Sequence, residues 1–172
     1  MIDWNAFENN LVSYFESQRA KSEDDAAKYI SELYDRYVKL GVTQYRNTIA
    51  TSNTKTLKSF IFLGLTDARN GLNLQRTSQR ISQGVMLYWR GVTMGVEFPP
   101  PGSIQVVTNV ITFPGIPFNI LIRNSTSTRA LARNLTLGLK THALTISGIN
   151  TSLVPVPGGP PVPTPFPWKG LK

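Results

Sequence analysis

The chain has 172 residues and a formal net charge of +8, a length that fits one domain with appended segments and a sizeable core. It contains no cysteine, which excludes disulfides, thiolate metal sites and cysteine nucleophiles. Its longest apolar run, Phe60 to Leu65, is far shorter than the roughly 20 residues of a membrane span, so no membrane partner is expected.

Two helices are predicted at the start of the chain. Asp3 is expected to cap a helix over about 4–18, whose apolar residues recur at four-residue spacing. Ser22 is expected to cap a second helix, because three carboxylates follow it where the helix dipole favours negative charge. That helix is predicted to end at Gly41.

The middle of the chain is predicted to be helical as well. The polar segment 43–54 is expected to be a short helix or a loop. A third helix is predicted from about Leu57, with Asn70 and Gly71 interrupting it, and a fourth over about 73–91.

Beyond the fourth helix the pattern changes. β-branched residues over 104–113 and a second apolar run over 116–122 predict a small hairpin, joined by a turn at Pro114-Gly115. A last helix is predicted over about 127–146, with a serine as its cap and Gly148 as its terminator.

This last helix is amphipathic. Arg129, Arg133 and Lys140 fall on one side at about 100° per residue, opposite a leucine-rich side that carries His142, the single histidine. The basic side is either a solvated face or a contact surface for an acidic partner or phosphate. Because His142 lies at core spacing, a buried imidazole is expected rather than a catalytic or metal-binding one.

Charge is distributed unevenly along the chain. Residues 1–35 carry eight acids and three bases (net −5), 36–97 carry two and nine (+7), and 98–172 carry six bases and no acid (+6). This asymmetry suits nucleic acid on the basic part, and it equally suits association of identical copies, with acidic residues 23–35 against a neighbour's basic face. Copies of the chain are therefore expected partners, and nucleic acid is the secondary candidate.

The C-terminal segment, 149–172, has seven prolines between Pro155 and Pro167. Each proline fixes φ and removes a backbone donor, so an extended arm outside any helix or sheet is predicted. Unlike a polar linker, the arm carries apolar side chains, and it is expected either to dock on a neighbour or to fold back beside Trp89. Docking is the preferred interpretation, with these partner-binding residues: Val156, Val162, Phe166, Trp168 and Leu171.

Residues suited to chemistry are scarce. One histidine and no acid beyond Glu97 leave the second half of the chain without a metal site or a hydrolytic triad. Neither GxxxxGK[ST] nor GxGxxG, the phosphate-binding motifs, occurs. No catalytic, cofactor-binding or metal-binding residue is assigned, and a non-enzymatic protein without cofactors is expected.

Several short segments are similar to small virion structural proteins of contractile-tailed bacteriophages. They are YWRGVTMGV at 88–96, PPPGSIQVVTNV at 99–110, THALTISGINTS at 141–152 and PFPWKGL at 165–171. The resemblance implies a virion component at the neck, tail, baseplate or head, assembled in the host cytoplasm in several symmetric copies with extended arms linking neighbours. The motifs carry no catalytic meaning and bring no functional residue with them.

The sequence therefore predicts an α+β, mainly α fold: a helical region over 1–98, a hairpin and amphipathic helix over 99–148 in the same domain, and a docking arm over 149–172. The expected function is that of a non-enzymatic structural subunit of a bacteriophage virion, a homo-oligomer that also contacts other virion proteins. The alternative is a basic nucleic-acid-binding accessory protein that contacts phosphates through Arg69, Arg76, Arg80, Arg129 and Arg133.

Overall fold

A computed structural model describes residues 1–17, 22–71, 73–95, 106–112 and 127–172, which form a mainly helical α+β fold with two small antiparallel sheets. The helices are α1 (Trp4–Ser17), α2 (Glu23–Val38), α3 (Thr54–Arg69), α4 (Leu74–Arg90) and α5 (Thr128–Thr145). The strands are β1 (Thr48–Thr51), β2 (Thr93–Gly95), β3 (Val106–Thr112), β4 (Ser147–Val156) and β5 (Gly159–Lys169). The expected fold class, α+β and mainly α, is confirmed.

Polar side chains cap the helices where the sequence predicts them. Asp3 Oδ1 accepts a hydrogen bond from Ala6 N at 2.9 Å, and Ser22 Oγ accepts one from Asp25 N at 3.2 Å. Each cap satisfies a backbone donor that has no partner within its own helix. The predicted helix bounds are confirmed within about three residues, including the end of α2 at Val38, three residues before Gly41.

Helices α3 and α4 pack against each other with glycines at their contact. A methyl group added at Gly84 would lie 2.5 Å from Phe60 Cβ, and one at Gly64 would lie 3.1 Å from Ile81 Cγ1. Glycine is required at Gly84 because any side chain there would push the two helices apart.

Aromatic residues of α2 and α4 fill the centre of the core. Trp89, Tyr34 and Tyr88 are almost fully buried, and Trp89 Nε1 donates to the Tyr34 hydroxyl at 2.9 Å. Burial raises the pKa of the Tyr34 and Tyr88 hydroxyls, so both stay neutral hydrogen-bonding groups.

The carboxylate of Asp35 lies at the edge of this core and accepts three hydrogen bonds. The donors are the hydroxyls of Tyr88 (2.7 Å) and Ser52 (2.5 Å) and the ammonium of Lys39 (2.7 Å). Burial alone would raise the pKa of Asp35, but these hydrogen bonds and the Lys39 charge outweigh it and lower the pKa below its ordinary value.

Asp35→Asn is expected to lower the free energy of unfolding at neutral pH by roughly 1–3 kcal/mol, because hydrogen bonds to a charged acceptor are weakened or lost. A lowered folded-state pKa gives stability that is present above the unfolded-state pKa and is lost as pH falls through the folded-state value. Urea denaturation between neutral pH and about pH 2 should therefore show a weaker acid dependence in the variant.

The matched control is Asp24→Asn. The Asp24 side chain is 58% exposed and pairs at the surface with Lys58 at 2.9 Å, so a change below about 1 kcal/mol is expected. Equal losses in the two variants would contradict the role assigned to Asp35.

β1 and β2 form a two-stranded antiparallel sheet in which Ile49 and Met94 face each other and are buried. The prediction of a helix or loop over 43–54 is wrong for Thr48–Thr51. Pairing with β2, a strand more than 40 residues further along the chain, determines the conformation of this segment.

The larger sheet has the order β3-β4-β5 with antiparallel neighbours. The strand predicted over 104–113 is confirmed as β3, and it pairs with β4. The predicted partner strand at 116–122 and the turn before it lie outside the described residues. Gly148 does not terminate α5 but lies within β4, which begins directly after the helix.

Most of the predicted C-terminal arm belongs to this sheet. β4 and β5 are joined at Pro157-Gly158, where Gly158 has φ +74°, as the second central residue of a type II turn requires. The prediction that prolines keep this segment out of any sheet is therefore wrong. β5 is an edge strand, and an edge tolerates a proline wherever the missing N–H would point away from the neighbouring strand.

Candidate interaction surfaces

The inner half of the β4–β5 hairpin is anchored in the core of its own chain. Trp168 and Leu171 are only 2% and 1% exposed. Phe166 is half-buried and packs edge-on against Tyr45, with ring centroids 6.2 Å apart. Both Trp168 and Leu171 were predicted to bind a partner, but the structure places them in the core, where the helical body offers them apolar surface to cover.

Hydrogen bonds also tie this inner half to the loop after α2. The buried Asn150 side chain donates from Nδ2 to the buried Asn47 Oδ1 at 2.8 Å, so this donor and this acceptor are paired in the interior. Val42 and Lys172 exchange two backbone hydrogen bonds of 3.0 Å each. The last residues of the chain therefore hold the hairpin against the helical body.

The outer half of the hairpin is exposed along its whole length. Residues 155–163, the hairpin tip, include Val156 and Val162, whose exposed fractions are 42% and 48%. The tip also contains five prolines. Valine and proline lose little conformational entropy when a partner covers them, so the tip suits docking through its side chains.

The exposed side of α5 carries leucines among its basic residues. Arg129, Arg133 and Lys140 are exposed, in keeping with both roles predicted for them. Leu137 and Leu144 are 52% and 45% exposed, and at 100° per residue they fall within roughly 80° of Arg129. These five residues are called the α5 outer face below. The two leucines add exposed apolar surface beside the basic side chains of this face.

Two open depressions border the α5 outer face. Arg129 and Arg133 line one of about 460 Å³ together with Glu8. Lys140 lines another of about 310 Å³ beside the first residues of the chain. Two guanidinium groups against one carboxylate leave the first depression positive, which favours an acidic partner.

Two acidic residues of α2 are a weak complement for this face in a second copy. Glu23 pairs with Arg69 at 2.9 Å, and Asp24 pairs with Lys58 at the same distance. A carboxylate that already has a cation beside it attracts a further one less strongly. Glu32 of the same helix is exposed and has no ion pair among the described residues, so it is the better complement.

Three of the five arginines assigned to the nucleic-acid alternative are paired with carboxylates. Arg69 binds Glu23, while Arg76 and Arg80 both approach Asp67, at 3.1 and 3.6 Å. Phosphate groups would have to compete with these ion pairs. Arg76 and Arg80 share the single carboxylate of Asp67 and keep a net positive charge, so the alternative still has these two arginines as well as Arg129 and Arg133.

Within the described ranges, no group of three or more histidine, cysteine, aspartate or glutamate residues could hold a metal ion. His142 is 2% exposed and lies beside Trp89, with ring centroids 6.4 Å apart, which confirms the predicted burial of its imidazole. No helix in the part of the chain that the structure describes has the length and apolar character to cross a membrane.

Comparison of the chain with protein-family models, with curated proteins and with solved structures finds no match. A functional assignment therefore depends on the hairpin tip and the α5 outer face.

Proposed function

We propose that this chain is a non-enzymatic structural subunit of a multi-protein assembly, a bacteriophage particle, and that it contacts copies of itself and other structural proteins there. The observation that carries the proposal is the hairpin tip, nine consecutive exposed residues (155–163) attached to an inner half whose Trp168 and Leu171 are buried. An exposed apolar element on a fixed base is pre-organised for binding. The resemblance of its short segments to virion proteins supports the particle as the setting.

The α5 outer face supplies a second contact. Covering Leu137 and Leu144 contributes about 25 cal/mol for each Å² of apolar surface removed from water. The three basic side chains around them steer and orient an acidic partner more than they add affinity. Two different surfaces on one chain allow each subunit to touch two different neighbours.

The test is the mass of the purified chain in solution, measured by light scattering across a salt series. We expect a defined oligomer that becomes a monomer when residues 155–161 are replaced by Asn-Gly. That replacement joins Val154 to Val162, which face each other in the hairpin, through a two-residue turn and leaves the anchored half intact. A wild-type chain that is monomeric at every salt concentration would refute self-association.

A second variant, Leu137→Asn with Leu144→Asn, tests the α5 outer face and is also expected to reduce the mass. The matched control is Leu40→Asn, because Leu40 is 58% exposed but lies on neither surface. High salt should weaken the α5 contact by screening its charges while the apolar tip contact persists. If Leu40→Asn lowered the mass as much, the two surfaces would have no special role.

A further inference from the structure

The outer edge of β5 has an unusual composition. β5 is the last strand in the order β3-β4-β5, so no described strand pairs with its other side. Pro163, Pro165 and Pro167 occupy every second position there, alternating with Thr164 and Phe166. A period of two is the period at which backbone groups point alternately toward and away from a neighbouring strand.

The register shows which way the prolines point. Gly170 N donates to Ile146 O at 2.7 Å, and the same register continues through the pairs Trp168↔Gly148 and Phe166↔Asn150. In an antiparallel ladder, hydrogen-bonded pairs recur at every second residue. From Val162 to Trp168 the even-numbered residues of β5 therefore bond to β4, and the backbone groups of Pro163, Pro165 and Pro167 point outward.

An independent contact supports this orientation. The carbonyl oxygen of Pro167 accepts a hydrogen bond from the Gln44 side chain, Nε2 to O at 2.9 Å. Gln44 lies in the loop after α2 and is not part of β4, so this carbonyl is turned away from the ladder. Pro163 and Pro165 are also odd-numbered residues of this strand, so their carbonyl groups point to the same side as that of Pro167.

The outward row consequently offers carbonyl acceptors but no N–H donors at Pro163, Pro165 and Pro167. A strand that added to this edge would need both, because an antiparallel or parallel ladder uses donors and acceptors of each strand. We infer that the alternating prolines close this edge of the sheet to strand addition, and so prevent copies of the chain from joining edge to edge through β5.

The surrounding sequence makes such protection necessary. β5 contains Val162, Phe166 and Trp168, residue types that favour strands, and half of the strand belongs to the exposed hairpin tip. Exposed edges of this kind are templates for open-ended association. The inference does not depend on the proposed function, which concerns contacts through side chains.

The test restores the missing donors with Pro163→Thr and Pro165→Thr together. Threonine favours strands and returns two outward N–H groups without altering the pairs with β4. We expect the variant to remain folded by circular dichroism and to show a mass at least about twofold above wild type at equal concentration, growing as concentration rises. Amide hydrogen exchange should be slowed at residues 163 and 165 only in the associated form.

The control is Lys169→Thr, which places a threonine at an exposed position of the same strand, outside the hairpin tip, without adding a backbone donor, and it is expected to keep the wild-type mass. If the Pro163/Pro165 variant kept the wild-type mass, the inference would be overturned. Loss of folding in that variant would overturn it too, since the prolines would then act by holding the strand. The wild-type mass itself reports on the proposed function, so the two can fail separately.

Discussion

Removal of residues 154–172 is expected to unfold the chain rather than to leave a folded monomer. The deletion takes away β5, the buried side chains of Trp168 and Leu171, and the backbone pair between Val42 and Lys172. Losing a buried large side chain costs about 2–5 kcal/mol, and a domain of this size has only about 5–15 kcal/mol of net stability. The extended arm predicted from the sequence could have been removed without such a loss.

Circular dichroism in the near ultraviolet and urea denaturation would measure this effect. The Asn-Gly replacement of residues 155–161 is the matched control, because it shortens the same hairpin but keeps its anchored half. We expect the control to unfold cooperatively and the truncated chain to show no cooperative transition. A truncated chain with a native near-ultraviolet spectrum would show that the inner half of the hairpin is not part of the core.

Trp168→Ala is expected to lower the free energy of unfolding by about 3–5 kcal/mol, because a large side chain that is 2% exposed leaves a cavity when it is removed. Trp168→Phe should cost much less. The smaller ring still fills most of the site, and the indole Nε1 that it removes has no hydrogen-bond partner among the described residues.

Urea denaturation at constant pH would compare these two variants with Val162→Ala. Val162 lies in the same strand but is 48% exposed, so its truncation should change the free energy of unfolding by under about 1 kcal/mol. Similar losses for Trp168→Ala and Val162→Ala would mean that the inner and outer halves of the hairpin are not distinct.

The helices were predictable because their signals are local. Asp3 and Ser22 each accept a hydrogen bond from the backbone N–H three residues later, so these residues alone predict a helix start. The spacing of apolar residues identified the buried sides of α1 and α2. The same periodicity predicted that His142 is buried, and it is. Neither the helix caps nor the spacing of apolar residues within a helix requires knowledge of the rest of the fold.

The strand β3 was predicted, but β1, β2, β4 and β5 were missed, and for β1 and β2 the reason is that their pairing is not local. β1 is four residues long in a polar segment, and only its pairing with β2 makes it a strand. For β5 the sequence did indicate a hairpin. Pro157-Gly158 is the same residue pair that predicted a turn at Pro114-Gly115, and the prolines from 163 to 167 occupy every second position. Treating every proline as a strand breaker, without asking which backbone groups point away from the neighbouring strand, led to the wrong prediction of an arm outside any sheet.

The interaction surfaces were only partly predictable for a related reason. The basic residues of the α5 outer face were identified, but Leu137 and Leu144 were overlooked, although 100° per residue already places them on the side of Arg129. For Trp168, assigned to a partner contact from the sequence, the structure shows a side chain that is 2% exposed within its own chain. Which apolar residues stay exposed is decided by the tertiary packing.

The hydrogen bonds between Val42 and Lys172 have a consequence for the order of folding. They join positions 130 residues apart (172 − 42), and a closure of that length costs entropy before any of its contacts can form. Local contacts allow the N-terminal helices to assemble while translation continues, whereas the hairpin can dock only after the residues up to Lys172 have left the ribosome. Until then, the site in the core that Trp168 fills stays uncovered in the nascent chain.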